Sequence, residues 1–352
     1  MLFRFVCLLM LAVVSSIAQA AVILQYHHIS NDTPAATSTS PELFAEHIQF
    51  LADNDFTVLP LPELIKQLKN DEAENQYSAA ITFDDGYDSV YRTAFPLLKE
   101  RGYSFAIFVN SSLVGAPGYA TWSELKEMQA AGAIIANHTA THPHMVRRKE
   151  GESEKQWRER MRTEIVTSEA AIKAHLKNMQ PYLAYPYGEY SAALLSLVKE
   201  LNYVGFAQHS GAVGASSDFL ALPRFPMGSS YGRMETFPDK VNSMPFPLER
   251  VHLNDGRGQA LDQPIVNADT KPQLTLELQS EAVAATVQCY WAGKPMKVVR
   301  EGNRVLVQSE EGLTPGRSRY NCTAPASDGK RFYWFSQPWF ITDKNGRWQH
   351  TD

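Results

Sequence analysis

The strongest constraint on the fold of this 352-residue chain is an alternation that runs through its first two thirds. Short apolar runs at 22–26, 79–83, 105–109, 133–136, 182–185 and 203–207 are separated by stretches of helix length. The runs do not alternate cleanly between apolar and polar residues, as expected for strands buried on both faces. Ser40-Pro41 reads as an N-cap with proline at the first helical position, and Leu43, Phe44, Ile48 and Leu51 then form one apolar stripe. Thr121-Trp122-Ser123-Glu124 fits a capping box ahead of Leu125 and Met128. A charged helix over 152–175 turns Trp157, Met161, Ile165 and Ile172 inward, and another spans 191–201. Repeated strand–helix units predict an α/β fold with a mostly parallel sheet or barrel over residues 21–255.

The pattern changes near Asp255, where Asn254-Asp255-Gly256-Arg257-Gly258 reads as turn and linker. Strands are expected at 273–279, 284–291, 298–300, 304–308 and 332–335. Gly293, Gly302-Asn303, Pro315-Gly316 and Asp328-Gly329 punctuate them, and no helical period is evident. Residues 256–352 are therefore expected to form a small antiparallel β-domain. Its Tyr290, Trp291, Phe332, Tyr333, Trp334, Trp339 and Phe340 suit core packing first and stacking on sugar faces second. A glycan or protein partner for this domain is a further expectation.

Arg4, the apolar run 5–14 and Ala18-Gln19-Ala20 form the pattern of a signal peptide over residues 1–20, which implies a periplasmic or secreted protein. The run is short for a membrane span and no stop-transfer segment follows, so no transmembrane segment is expected in the mature chain. Cleavage would remove Cys7 and leave Cys289 and Cys322, an even pair that predicts a disulfide in an oxidising compartment. The formal charge of −5 becomes −6 without Arg4, and no block of like charge stands out. A nucleic-acid partner is therefore not expected.

Four segments carry candidate chemistry, each at the end of an apolar run. Ile81-Thr82-Phe83-Asp84-Asp85-Gly86 ends a strand in adjacent carboxylates, then a glycine that permits a tight turn. One carboxylate can hold a cation while the other stays free as a base; the residues alone do not say which. Asn137-His138-Thr139-Ala140-Thr141-His142 offers two histidines four apart, expected on one face of a helical turn. With one carboxylate they make a two-His-one-Asp set that zinc, cobalt, nickel and iron tolerate. Leu24-Gln25-Tyr26-His27-His28 offers a general acid. Leu183-Ala184-Tyr185-Pro186-Tyr187-Gly188 offers backbone N–H groups for an oxyanion.

Thr82-Phe83-Asp84-Asp85-Gly86 and His138-Thr139-Ala140-Thr141-His142, in that order, resemble the first two signatures of the polysaccharide deacetylases, the NodB-homology or carbohydrate esterase family 4 group. The resemblance covers most of residues 22–230. It implies a distorted (β/α) barrel holding one divalent metal, zinc foremost. Carried over by position, Asp84 is the base, and Asp85, His138 and His142 are the metal ligands. Tyr185-Pro186-Tyr187-Gly188 is similar to the third signature, which gives the Tyr187 N–H a share of the oxyanion. The family's arginine two residues before that proline is replaced by Ala184; Arg224 is either the residue that reaches the same carboxylate from a neighbouring strand or a plain surface or ion-pair arginine. No Asp-x-x-Asp-Trp fourth signature is present.

Tyr26-His27 resembles the arrangement in members acting on exopolysaccharide such as poly-N-acetylglucosamine, which makes His27 the candidate acid. His252 competes, but the stretch before it makes a poor buried strand. His28, His144 and His209 are expected to line the cleft, and His47 and His175 to lie on polar helix faces. The implied reaction is hydrolysis of N-acetyl groups on an N-acetylhexosamine polymer, releasing acetate. The alternatives are a degenerate glycan-binding protein, another acetylated substrate (peptidoglycan, chitooligosaccharide or an acetylated polyamine), and an O-acetyl esterase acting on xylan-like sugars.

Overall fold

The computed structural model describes residues 21–70, 77–326 and 328–349. The expected signal peptide, with Arg4, Cys7 and Ala18-Gln19-Ala20, lies outside them.

Seven strands form a curled parallel sheet: β1 (Ala21–Tyr26), β2 (Ser78–Phe83), β3 (Ala106–Val109), β4 (Ile134–Asn137), β5 (Tyr182–Ala184), β6 (Val204–Phe206) and β7 (Phe225–Pro226). Their order is β7-β1-β2-β3-β4-β5-β6, with Thr57–Val58 added beside β2. Every residue of β1, β2 and β3 is buried. Successive side chains enter different cores: Val22, Leu24 and Tyr26 pack on one side, and Ile23 packs on the other with Ala80 and Phe108. Burial of both faces explains the near-continuous apolar runs. The open seam of the curl is bridged by residues 222–226. Ala207 N–H donates to Leu222 O, Arg224 N–H donates to His209 O, and Phe225 pairs with Leu24. The sheet with its helices is thereby a distorted (β/α) barrel.

The expected helix signals operate. Ser40 Oγ accepts from the Leu43 N–H at the head of the Pro41–Asp53 helix, and a capping box opens the Trp122–Ala130 helix. His47 departs from expectation. It is wholly buried, stacked on Phe237 at 4.1 Å, and bonded to the Tyr26 hydroxyl and the Gly232 carbonyl. Burial pushes it down to about 4, so it serves as a neutral core histidine.

The second part packs two five-stranded sheets over one core. One sheet contains β8 (Leu248–Asn254), β9 (Gln273–Leu278), β11 (Val298–Glu301) and β12 (Arg304–Gln308); the other contains β10 (Gln288–Trp291), β13 (Gly316–Pro325) and β14 (Phe332–Thr342). Three details correct the sequence expectation. The β-rich part begins at Leu248, ahead of Asp255, because β8 is largely exposed and carries little apolar signal. Glu281–Thr286 is a helix capped by Ser280, not the start of a strand. Ile265–Asn267 joins β14 in parallel within otherwise antiparallel sheets. Of the aromatic residues, Trp339 and Tyr333 are buried in the core, whereas Tyr290 and Phe332 are exposed.

Cys289 and Cys322 face each other across β10 and β13 and are bonded, closing a separation of 33 residues. In the chain-entropy account, a crosslink of that span stabilises by about 3–4 kcal/mol. Denatured but unreduced protein comprising residues 21–352 should therefore show no titratable thiol, and Cys289→Ala/Cys322→Ala should lower its stability by about that amount. Two titratable thiols would contradict the bond.

Candidate active site

The site forms where parallel strands end. Asp84 follows β2, and its N–H donates to Tyr26 O at 2.9 Å, which carries the β1–β2 pairing one residue past the strand. Its carboxylate is not free. Arg224 Nη1 and Nη2 donate to Oδ1 and Oδ2, each at 2.7 Å, and Gln25 Nε2 donates to Oδ2 at 2.6 Å. Both ion-pair partners have 0% exposure. The guanidinium is saturated further: Nε donates to Ala207 O at 2.9 Å, Nη1 also reaches Thr82 Oγ1 at 3.3 Å, and its carbon lies 5.3 Å from the Phe108 ring. Burial opposes ionisation of Asp84, but Arg224, aided by His138, outweighs it and holds the carboxyl below its ordinary range. Arg224 thus gives Asp84 the guanidinium that Ala184 cannot.

Asp85 and Gly86 both take left-handed backbone conformations, with φ of 71° and 80°. This reversal turns the second carboxylate away from the first. His138 follows β4, and the segment to His142 is not the expected helical turn. Thr139 and His142 are themselves left-handed, at φ 68° and 59°. Asn137 Oδ1 accepts from Thr139 N–H, Glu164 Oε2 accepts from the N–H groups of Ala140 and Thr141, and Thr139 Oγ1 accepts from His142 N–H. These bonds fold the segment so that both histidine Nε2 atoms lie 3.3 Å from Asp85 Oδ1.

The three side chains offer ligand atoms that all lie within 4.8 Å of one another. Their chemistry fits a divalent cation. His138 Nδ1–H donates to Ala184 O at 2.8 Å, which fixes the tautomer and leaves the Nε2 lone pair facing Asp85. That Nε2 and Asp85 Oδ1 are buried with no hydrogen-bond partner, a costly state that a cation would relieve. Burial works against charge on His138, yet Asp85 and Asp84 override it and raise its pKa, so the centre attracts positive charge. His142 is pushed down to about 4 by burial and by His138, which keeps its ring neutral as a ligand must be.

His27 is half-buried immediately after β1. It lies within electrostatic reach of Asp84, Asp85 and His142. His252 is elsewhere, on exposed β8, 3.4 Å from Glu277. His28 stacks on Tyr87 at 3.5 Å. Tyr187 sits in the turn Pro186–Gly188 with φ 60° and ψ 2°, its ring stacked on His144 at 3.6 Å and 4.6 Å from His142. Glu189 holds His144 Nδ1 at 2.8 Å. His209 does not join them: it lines a cavity of about 280 Å³ between the barrel and the second part. His175 stacks on Trp122 at 4.4 Å, away from the site.

Sequence reasoning missed Gln25, Thr82, Glu164 and Glu189. Gln25 had a signal, being a polar residue inside an apolar strand. Glu164 had none, because its role depends on where the 138–142 loop lands.

Residues 71–206 match the family described as polysaccharide deacetylase. The chain is 27% identical over 195 residues to a Staphylococcus aureus poly-beta-1,6-N-acetyl-D-glucosamine N-deacetylase, covering 53% of this chain and 67% of that one. The solved structure of Streptococcus pyogenes deacetylase PplD in complex with acetate superposes with a TM-score of 0.55 at 26% identity, covering 60% of this chain and 94% of that one. IcaB from Ammonifex degensii shares the fold, with a TM-score of 0.54 at 23% identity over 63% of this chain and 96% of that one.

Two outcomes follow from this geometry. Metal titration should find about one divalent ion per chain, consistent with a single two-His-one-carboxylate set, and none in His138→Ala; full retention in that variant would contradict the ligand set. Arg224→Ala should cost about 3–5 kcal/mol by stranding a buried carboxylate. Because the folded pKa of Asp84 is lowered, its pair stabilises the wild type above the unfolded carboxylate value near pH 4, and that contribution is lost as pH falls through the folded value. In Arg224→Ala the dependence should reverse, with stability falling as Asp84 ionises. An unchanged acid profile would contradict the pairing.

Proposed function

We propose that the chain, whose residues 71–206 match the polysaccharide deacetylase family, is a hydrolase of amide C–N bonds that removes N-acetyl groups from an N-acetylhexosamine polymer in a metal-dependent reaction, releasing acetate. The observation that carries this reading is the Asp84–Arg224 pair beside the convergent Asp85, His138 and His142. The S. aureus relative's name supports poly-β-1,6-N-acetylglucosamine as the substrate. The pattern of residues 1–20 supports a periplasmic or secreted location, and no described helix is long and apolar enough to cross a membrane. The sheet memberships support two domains that meet just before Leu248.

Asp85, His138 and His142 would hold the cation, with zinc the first candidate and cobalt, nickel and iron(II) compatible. Bound there, it would supply Lewis-acid polarisation of an acetamide carbonyl and would lower the pKa of water toward about 7. Asp84 accepts the proton of the attacking water. Arg224 keeps that carboxylate ionised, and Gln25 with Arg224 fixes its direction. The Tyr187 N–H donates to the carbonyl oxygen as negative charge develops on it. His27 gives a proton to the amine nitrogen as the C–N bond breaks, leaving acetate and a free amino sugar. Arg224 also weakens the case for a degenerate glycan-binding protein, because the function lost at position 184 is supplied from another strand.

His27→Ala should lower kcat on the acetylated polymer by roughly a hundred- to ten-thousand-fold while leaving bound metal unchanged. His252→Ala should stay near wild type. An activated acetate ester, whose leaving group needs no proton, should suffer much less from His27→Ala than the amide does. A crippled His252→Ala with a mild His27→Ala would refute the assignment of the acid.

A further inference from the structure

We infer that Arg317, on β13 of the second part, is a positioning residue of the deacetylase site: it clamps the strained turn that carries Tyr187. This rests on the role proposed above for that turn.

The placement follows from strand alternation. In the β13–β14 pair, Tyr320, Cys322, Trp339 and Ile341 enter the core between the two second-part sheets. The intervening residues point the other way, to the barrel. There Phe340 meets Tyr190 edge-on at 5.5 Å and Trp334 meets Phe225 at 5.3 Å. Arg317, directly opposite Phe340, shares that face. Its Nη1 donates to Tyr187 O at 2.6 Å, and the guanidinium carbon lies 5.9 Å from the Tyr187 ring. Among the described residues Arg317 has no ion-pair partner; its polar contact is this turn.

A tyrosine at φ 60° is strained, and such a conformation persists only where the surroundings over-determine it. Among the described residues the barrel restrains it in three ways. His144, itself held by Glu189, stacks on the ring and sets the side chain. Gly188 is packed so closely on Gln208 that a Cβ at 188 would lie 2.5 Å from the Gln208 Cβ. The turn's own bond, from the Gly188 N–H to Tyr185 O at 2.8 Å, holds the nitrogen side of the peptide between Tyr187 and Gly188. Arg317 holds the oxygen side of the same peptide, and so adds the restraint on ψ of Tyr187 that comes from the second part. With that restraint lost, the Tyr187 backbone can relax and swing its N–H off the developing oxyanion. The second part thereby reaches the active site through a cationic donor.

The test uses the whole mature chain, loaded with metal, as wild type, Arg317→Ala and Arg317→Lys. Kinetics on poly-β-1,6-N-acetylglucosamine oligomers are read beside hydrogen exchange of peptides covering 184–190. Arg317→Ala should lose about 10- to 100-fold in kcat, the scale of a misplaced group, with KM, bound metal and thermal midpoint unchanged. Exchange in 184–190 should quicken about tenfold, the usual worth of one hydrogen bond. Arg317→Lys should recover part of both, since an ammonium can still donate to the carbonyl. A kcat for Arg317→Ala within twofold of wild type, or an effect confined to KM, overturns the inference. If wild type releases no acetate from any acetylated glycan, the proposed function fails instead. The exchange arm still decides the clamp: faster exchange supports it and unchanged exchange overturns it.

Discussion

The buried pair of Asp84 and Arg224 is the interaction on which the rest of the structure turns. Two full charges at zero exposure are tolerable only if each is paired and its remaining hydrogen-bonding groups are met. Gln25 of β1, Thr82 of β2 and the carbonyl of Ala207 just past β6 meet them. Those groups come from the two sides of the seam, β1 and β2 on one and the end of β6 on the other. Satisfying one arginine thus requires residues 222–226 to lie in the seam, where Phe225 pairs with β1 and the Arg224 N–H bonds to His209. Closing the barrel and keeping Asp84 ionised are consequences of the same placement.

Beside this rigid pair the loops are strained. Asp85, Thr139, His142 and Tyr187 are all left-handed without being glycine. The histidine loop is held by Glu164 and Asn137, and the Tyr187 turn by His144 and Arg317. Backbone strain of this kind costs stability and is retained where it directs side chains that a relaxed loop would not bring together. Here it turns one carboxylate and two imidazoles onto a common centre. Asp84, one residue earlier, stays on the arginine.

Much of this was legible in the sequence because it rests on local rules. Strands buried on both faces read as continuous apolar runs, and the caps at Ser40 and Thr121 announced their helices. Asp84, Asp85, His138 and His142 were visible as polar clusters at strand ends. What was illegible depends on long-range geometry. The 138–142 loop looked helical by spacing, but Glu164, far along the chain, dictates its bonds. His47 looked like a polar-face residue, yet the Tyr26 hydroxyl and the Gly232 carbonyl make a buried place for it. Exposed β8 carried too few apolar residues to register as the start of the second part. Arg317 sits on a strand whose sequence gives no hint of which face meets the barrel.

The central claim is that Asp84 is the base of a metal-dependent deacetylation and takes no part in binding the ion. Acetate release from poly-β-1,6-N-acetylglucosamine by metal-loaded wild type and Asp84→Asn, with metal content measured on the same samples, tests it most directly. The predicted result is steady acetate release by wild type and near-complete loss in Asp84→Asn at equal bound metal. Acetate release by Asp84→Asn at the wild-type rate would contradict it.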